Sequence, residues 1–213
     1  MTHPQAITNE EAARAFVESL ADDTARRKIE LFCDLLIAEN GRQNLIAKAS
    51  EKNLWQRHIA DSAQLLLHVP RETPTGEAPR TWLDLGSGPG LPGLVIAIMR
   101  PDYPVVLVES RARRVAFLEY CVAELELANC KVEGSRLERV LPFPTWVISA
   151  RAFAPLDKLL SLSAPFSTKA TRYLLPKGRS AAHELDAMSP SIRKMFHVKQ
   201  SLTDVDAGII VSS

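Results

Sequence analysis

Hydrophobic positions in the first third of the chain recur at helical spacing. Ile29, Phe32, Cys33, Leu36 and Ile37 fall at i, i+3, i+4, i+7 and i+8, the stripe of a helix with one buried face. A second stripe runs from Glu51 to His68 through Trp55, Ile59, Ala63 and Leu66. The pattern then stops, because residues 70–79 hold three prolines and a glycine, which break both helix and strand. From residue 81 short apolar runs alternate with helical stripes. Strands are expected near 81–85, 104–108, 130–133, 145–150 and 172–176, with helices near 92–99, 111–127, 155–165 and 180–194. In the 111–127 helix, Val115, Leu118, Val122 and Leu125 form the face that suits sheet packing. Such alternation implies βαβ units and a parallel sheet covered on both faces. The end differs. Phe196–Leu202 and Gly208–Ser212 lie too close in sequence for a crossover helix and should pair as an antiparallel hairpin.

The expected organisation is a helical extension (1–69), a linker (70–80) and an α/β body (81–213), together making one structural domain. Ligands on such sheets sit beyond the carboxyl ends of the strands. The densest motif falls there. Asp84-Leu-Gly-Ser-Gly-Pro-Gly-Leu-Pro-Gly93 follows the first strand and precedes the apolar run Leu94–Met99. Strand, glycine turn and helix let backbone N–H groups approach a ligand without side chains in the way. Glu109 closes the second strand, where an acid is placed to hydrogen-bond ribose hydroxyls.

The spacing bears on which cofactor is bound. A dinucleotide fingerprint needs a third glycine three residues after the second, and that position is Leu91. No Lys-Ser/Thr pair follows, as a phosphate-binding loop would require. An acidic start before the glycines is common in S-adenosylmethionine (AdoMet) sites. A parallel sheet ending in a hairpin is also the layout of class I AdoMet-dependent methyltransferases, a Rossmann-like fold. AdoMet is therefore favoured over a dinucleotide or a purely structural turn.

Composition changes this picture little. The 213 residues are 46% hydrophobic and 24% charged, with a formal net charge of +1, ordinary values for a soluble domain. Acid slightly outweighs base before residue 80 and base outweighs acid after it, which permits a nucleic-acid patch without demanding one. Cys33, Cys121 and Cys130 show no metal-ligand spacing and read as small buried hydrophobes in a reducing cytosol. No metal is expected. No signal peptide and no membrane-spanning run is evident, so a cytoplasmic protein is expected.

Four segments should converge beyond the strand ends. The turn containing Gly86, Ser87, Gly88 and Gly90 would wrap the methionine portion, and Glu109 would take the ribose. Ser135-Arg-Leu-Glu138 would flank the adenine, with Glu138 alternatively an acid that merely starts a helix in solvent. Ser149-Ala-Arg-Ala152 follows the fourth strand, where a methyl acceptor sits. Arg151 reads either as an acceptor-facing cation or as half of a structural ion pair. An Asp/Asn-Pro-Pro-aromatic run for exocyclic amine methylation is absent there. So is a thiol near the acceptor for C5 chemistry. A ring nitrogen such as guanine N7 needs no proton removed, and positioning with electrostatics can suffice. Arg111, Arg113 and Arg114 open a helix, where the dipole disfavours cations. They read as RNA-phosphate contacts or as a solvated basic face. Arg57, His58 and Asp61 share one helix face, as packing residues or as a wall of the site.

These segments resemble the small-subunit (16S) ribosomal RNA methyltransferase G family, also called glucose-inhibited division protein B. The matching residues are Arg57-His58-Ile59 with Asp61-Ser62, the whole run Asp84–Gly93, and Arg113-Arg114 with Phe117-Leu118. Arg136 with Glu138, Ser149-Ala-Arg151-Ala152 and Lys177-Gly178 continue the match, which spans roughly residues 25 to 212. Arg113 stands where the family commonly has lysine. The resemblance implies methyl transfer from AdoMet to N7 of a guanine in 16S rRNA, within the small subunit. By position, Gly86, Leu91, Leu137, Glu138 and Arg151 would contact the cofactor. The resemblance settles no catalytic residue; Arg151, after the fourth strand, is taken as the group nearest the acceptor, with Lys177, Arg57, His58 and the arginine cluster on the RNA side. Nothing requires more than a monomer. The competing readings are a methyltransferase of a small molecule or protein, and a non-catalytic AdoMet- or RNA-binding module.

Overall fold

A computed structural model describes residues 6–69 and 80–212. The expected linker therefore lies outside the described residues, except for Arg80. Five strands run parallel: β1 (Trp82–Leu85), β2 (Val105–Val108), β3 (Cys130–Glu133), β4 (Val147–Ala150) and β5 (Arg172–Gly178). The hairpin of β6 (Phe196–Gln200) and β7 (Gly208–Ser212) completes the sheet, β7 antiparallel to β5. The order is β3-β2-β1-β4-β5-β7-β6. The strand order reverses between the parallel neighbours β1 and β4, and a doubly wound sheet leaves its ligand crevice at that switch point. Gly86 leaves one of these strands and Arg151 the other.

Side-chain alternation divides the core into two layers. Trp82, Val105, Leu107, Val147, Leu174, Ile209 and Val211 face one side. Leu83, Leu85, Val108, Ile148, Ala150, Tyr173, Leu175 and Ile210 face the other. Helices α6 (Leu156–Ser163) and α7 (Ala181–Asp186) cover the second face through Leu156, Leu159, Ala181 and Leu185. The first face is covered by α5 (Ala112–Glu124), through Phe117, Leu118 and Cys121, and beside it by two layers of helix. Helix α4 (Gly93–Met99) carries no polar side chain, and all seven of its residues are buried. A helix apolar all round needs a second cover. It comes from α2 (Asp23–Gln43) and the segment around Asp61–Ala63, with α1 (Glu10–Leu20) packed on residues Trp55–Ala60; Val17, Ile29, Phe32 and Leu36 of the two helices join the same core. Each such aliphatic or aromatic side chain contributes about 1.5–3 kcal/mol on full burial. The N-terminal helices are thus a structural layer of the sheet. Both begin on side-chain caps: Asn9 Oδ1 accepts from Ala12 N–H and Asp22 Oδ1 from Ala25 N–H, each at 2.8 Å.

Two expected helices differ in detail. The stripe over 51–68 is not one α-helix but a composite rod: 3-10 turns at Lys48–Asn53, a π turn at Trp55–Ala60, a short α3 (Asp61–Ala63) and 3-10 turns at Gln64–His68. Its apolar positions still face inward, with Trp55, Ile59 and Ala63 buried. Glu10 of α1 accepts from Trp55 N–H at 3.0 Å and Gln56 N–H at 2.7 Å, satisfying donors that a continuous helix would have paired internally. The expected 180–194 helix splits into α7 and α8 (Pro190–Arg193), because Pro190 starts a helix but cannot continue one. Among the described residues no helix is long and apolar enough to cross a membrane.

Candidate active site

The β1–α4 turn is built around a buried carboxylate. Asp84 is fully buried. Its Oδ1 accepts from Ser149 Oγ at 2.6 Å, and its Oδ2 from Gly93 N–H at 3.3 Å. Ser149 Oγ in turn accepts from Trp82 Nε1 at 2.8 Å. Asp84 and Ser149 are register partners on β1 and β4, so this bridge spans the ligand crevice. Burial pushes the Asp84 carboxyl up to about 6, against the lowering from its hydrogen bonds with Ser149 and Gly93 and from the nearby Ser87 hydroxyl. Asp84 thus fixes the turn from beneath and does not meet a ligand.

Gly86 has φ of +64°. A Cβ there would also stand 2.7 Å from Phe153 Cδ2. Its lack of a side chain lets the turn close against Phe153. Across the turn, Glu109 Oε2 accepts from Gly88 N–H at 3.0 Å. Its Oε1 accepts from Ser110 N–H at 2.7 Å and Arg111 N–H at 2.9 Å. These bonds brace the glycine turn against the end of β2. A cavity of about 380 Å³ opens beside it, lined by Gly86, Glu109, Arg111, Arg114, Leu137, Glu138 and Phe153 among others. A 3-10 turn at Leu137–Arg139 brings the adenine-side candidates to it. An ionised carboxylate offers about four acceptor positions. Three N–H groups leave Glu109 one for a hydroxyl, so the donor set fits a nucleoside such as that of AdoMet.

A second cavity, about 290 Å³, lies next to the first beyond β4 and β5. Its walls include Ser50, Arg57, His58, Asp61, Arg151, Ser201, Thr203 and Asp204. Arg151 Nη1 stands 3.3 Å from His58 Nδ1 and 3.7 Å from Asp61 Oδ2. Arginine has no acceptor, so His58 Nδ1 accepts and the Nε2–H donates to Ser50 Oγ at 2.8 Å. Burial pushes the His58 ring down to about 3, with Arg151 and Arg57 adding to the effect. Asp61 Oδ1 accepts from Gln64 Nε2 at 2.8 Å and Thr203 Oγ1 at 2.9 Å. Burial raises the Asp61 pKa while Arg151 opposes it; burial likewise lowers that of Arg151 while Asp61 opposes it. Ala152, the next residue, has φ of +55°. A non-glycine residue in the left-handed region stores strain of the kind that clusters at functional sites.

The expected site residues divide. Gly86, Glu109, Arg111, Arg114, Leu137 and Glu138 meet at the first cavity, and Arg57, His58 and Arg151 at the second. Leu91 is buried, and Ser87 lies beneath the turn with its Oγ donating to Asp84 O at 3.1 Å. Gly88 and Gly90 shape the turn with φ of +55° and +90°. The three arginines go three ways. Arg111 is exposed; Arg114 pairs with Glu109 at 3.7 Å; Arg113 Nη2 donates to Arg42 O at 3.0 Å, capping the C-terminus of α2. Arg57 does not turn along its helix to Asp61. It crosses to Asp204 at 2.9 Å. Lys177 is largely buried, donating to Ala154 O and pairing with Glu184, both at 2.8 Å. Phe153, Ser50 and Thr203 carry roles that sequence reasoning missed. Phe153 is signalled only by its place after Ala-Arg-Ala, and Thr203 by nothing local.

The model of the family rRNA small subunit methyltransferase G matches residues 25–208. The chain belongs to this family. It is 55% identical over 205 residues to the ribosomal RNA small subunit methyltransferase G of Erythrobacter litoralis, covering 96% of each chain. Among solved structures it is similar to the fibrillarin/Nop5p complex, with a TM-score of 0.55 and 14% identity over 74% of this chain and 81% of that one. A mutant of MtNAS in complex with S-adenosylmethionine gives a TM-score of 0.51 at 16% identity, over 97% and 84%. At these identities the likeness is one of fold: a class I methyltransferase sheet with its crevice between β1 and β4.

Proposed function

We propose that the chain transfers a methyl group from AdoMet to N7 of a guanine in 16S rRNA of the small ribosomal subunit. On this reading it works in the cytoplasm as a monomer. The observation that carries the reading is the juxtaposition of the two cavities where the strand order reverses. The first offers a backbone-lined glycine turn, a ribose-ready carboxylate in Glu109 and an adenine-side wall at Leu137–Glu138. The second presents Arg151 immediately beside it. When bound, AdoMet supplies an electrophilic methyl carbon. The protein's part is to hold the acceptor in line with that carbon and to exclude water.

An N7 acceptor suits this crevice. Its lone pair is free, so no side chain has to remove a proton. His58, the one histidine in the second cavity, stays neutral and has both ring nitrogens engaged. Arg57 and Arg111 flank the two cavities with exposed guanidinium groups suited to phosphates. Arg113 and Lys177 instead hold the frame. On the same reading the chain divides into a helical extension (1–69), whose described helices cover the α4 face, a linker (70–80) and the body (81–213). The test incubates the protein with methyl-labelled AdoMet and small subunits lacking the modification, followed by nucleoside mass spectrometry. The expected product is 7-methylguanosine at one position. No such product above background sinks the reading.

A further inference from the structure

The second cavity holds a donor and an acceptor side by side, each with unused capacity. Asp61 Oδ1 is occupied by Gln64 and Thr203. Its Oδ2 faces Arg151 Nη1 at 3.7 Å, beyond hydrogen-bond distance. Arg151 places one bond on His58 Nδ1 and keeps the rest of its guanidinium fork. Both side chains line the same cavity and are mostly buried, with 23% and 19% of their side-chain surface exposed for Arg151 and Asp61. An ion pair of this looseness leaves both partners with bonding capacity directed at whatever enters the cavity.

We propose that Asp61 and Arg151 together read the target guanine, Arg151 donating to O6 and Asp61 Oδ2 accepting from N1–H. This rests on the guanine-N7 reading above and names the residues that select the base. The order of groups supports it. Around the rim of guanine run N7, then O6, then N1–H. Along the protein run the Ala152–Phe153 edge of the first cavity, then Arg151, then Asp61. With O6 on Arg151 and N1–H on Asp61, N7 is directed toward the cofactor cavity. Adenine reverses both groups, placing an amino donor against Arg151 and a bare N1 against the carboxylate. Such mismatches leave buried charges unpaired and are rejected strongly. A base taken out of its stack is read by hydrogen bonds to its Watson–Crick edge in this way.

The same pair serves the chemistry. As the N7 lone pair forms its bond to the methyl carbon, the C–S bonding pair returns to sulfur, and the positive charge passes onto the purine. A carboxylate on N1–H stabilises that charge where it develops. Ser201 and Thr203 of the β6–β7 turn and Gln64 of the composite rod hold Asp61 in place, Gln64 Nε2 also reaching Ser201 Oγ at 3.1 Å. The Asp61→Asn change tests this with little risk to folding, since the amide oxygen can still accept from Thr203 and Gln64.

The experiment compares small subunits reconstituted with guanosine or 2-aminopurine at the methylated position. 2-Aminopurine keeps N7 but lacks O6 and N1–H. The wild-type protein is expected to methylate the analogue about 50-fold more slowly than guanosine. Asp61→Asn should lose about 50-fold on guanosine, keep its melting temperature and AdoMet affinity, and discriminate between the two bases by no more than about threefold. Wild-type protein that handles both bases alike overturns the proposal, whatever the variant does. So does an Asp61→Asn variant that retains the full preference. If wild-type protein yields no 7-methylguanosine even on guanosine subunits, the reading of the function itself fails, and the base-reading assignment falls with it.

Discussion

The two cavities of the crevice are built on opposite plans. The turn beside the first cavity, the proposed cofactor side, is assembled from neighbouring elements: Asp84 to Gly93 form one strand–turn–helix unit, and Glu109 directly follows the adjacent strand, with Leu137, Glu138 and Phe153 completing the wall. Backbone N–H groups do most of its bonding. The acceptor side is assembled from segments far apart in sequence: Ser50 to Gln64, Arg151, and Ser201 to Asp204. There side chains bond to side chains, and the backbone of each segment contributes little. A site of the first kind is held by the fold itself. One of the second kind is held by a network whose members restrain one another. Mutations should therefore separate stability from turnover in opposite ways on the two sides.

The largest effects test that separation directly. Arg151→Ala is expected to lower turnover about a hundredfold or more. Its cost in stability should stay near 1 kcal/mol, because the pair it leaves is loose and partly open to solvent. Gly93→Ala should do the reverse. A Cβ there overlaps the Leu107 side chain and crowds Asp84, so we expect about 3 kcal/mol of destabilisation by overpacking, with turnover of the folded fraction little changed. Urea unfolding and steady-state kinetics on both variants decide the matter. If Arg151→Ala loses stability and activity in step, the arginine is a strut and the contrast collapses.

Acidity supplies a second contrast, of about 1–2 kcal/mol, with opposite signs. The Asp84 carboxyl is raised from 3.8 to about 6. The stability gained by its protonation is fully present below 3.8 and is lost as pH rises through 6. His58 is lowered from 6.5 to about 3, so its neutral ring stabilises the fold above 6.5, and that stability is lost as pH falls toward 3. Asp61 beside it is raised and pulls the other way on acidification, which is why each group is read as a wild-type-to-variant difference. Between about pH 5 and 7, Asp84→Asn should gain about 1 kcal/mol on wild type as pH rises. His58→Gln should gain about 2 kcal/mol on wild type as pH falls over the same range. Denaturant curves at both pH values measure this. Parallel shifts in the two variants would show that the two sides do not titrate independently.

The same difference explains how much was legible in the sequence. The sheet, its terminal hairpin and the glycine turn follow from apolar runs and glycine spacing, which are local. For that reason the residues that meet at the first cavity could be named together, Glu109 and Leu137–Glu138 included. The hidden role of Asp84 could not, because an acid at a strand end looks the same whether it meets ligand or holds a turn from beneath. The arginine cluster was opaque in a similar way: three cations in sequence order take different partners once α2 offers Arg113 a carbonyl and Glu109 takes Arg114. Arg57, His58 and Asp61 were placed on one helix face. All three do line the second cavity, across a π turn at Trp55–Ala60, but only the distant Asp204 and Arg151 reveal which partner each takes. Thr203 gave no signal at all, since nothing in a Ser-Leu-Thr turn indicates which carboxylate it will meet.

The smallest test is a matched pair of hydroxyl deletions. Thr203→Ala removes the 2.9 Å bond to Asp61 Oδ1, and Ser87→Ala removes the 3.1 Å bond to Asp84 O. Each should cost about 1 kcal/mol in stability, the usual net value of one hydrogen bond. Their effects on activity should part company. Asp84 keeps Ser149 and Gly93 after Ser87→Ala, and its strand fixes its backbone, so turnover should stay within about twofold. Asp61 after Thr203→Ala keeps only Gln64 on that oxygen, and the carboxylate can swing out of its place beside Arg151. A fall of about tenfold in turnover is expected, with AdoMet affinity unchanged, because only the acceptor side has been loosened. Equal activity in the two variants would mean that the acceptor side is as rigid as the turn, and that its dispersed network is no weaker than a contiguous one.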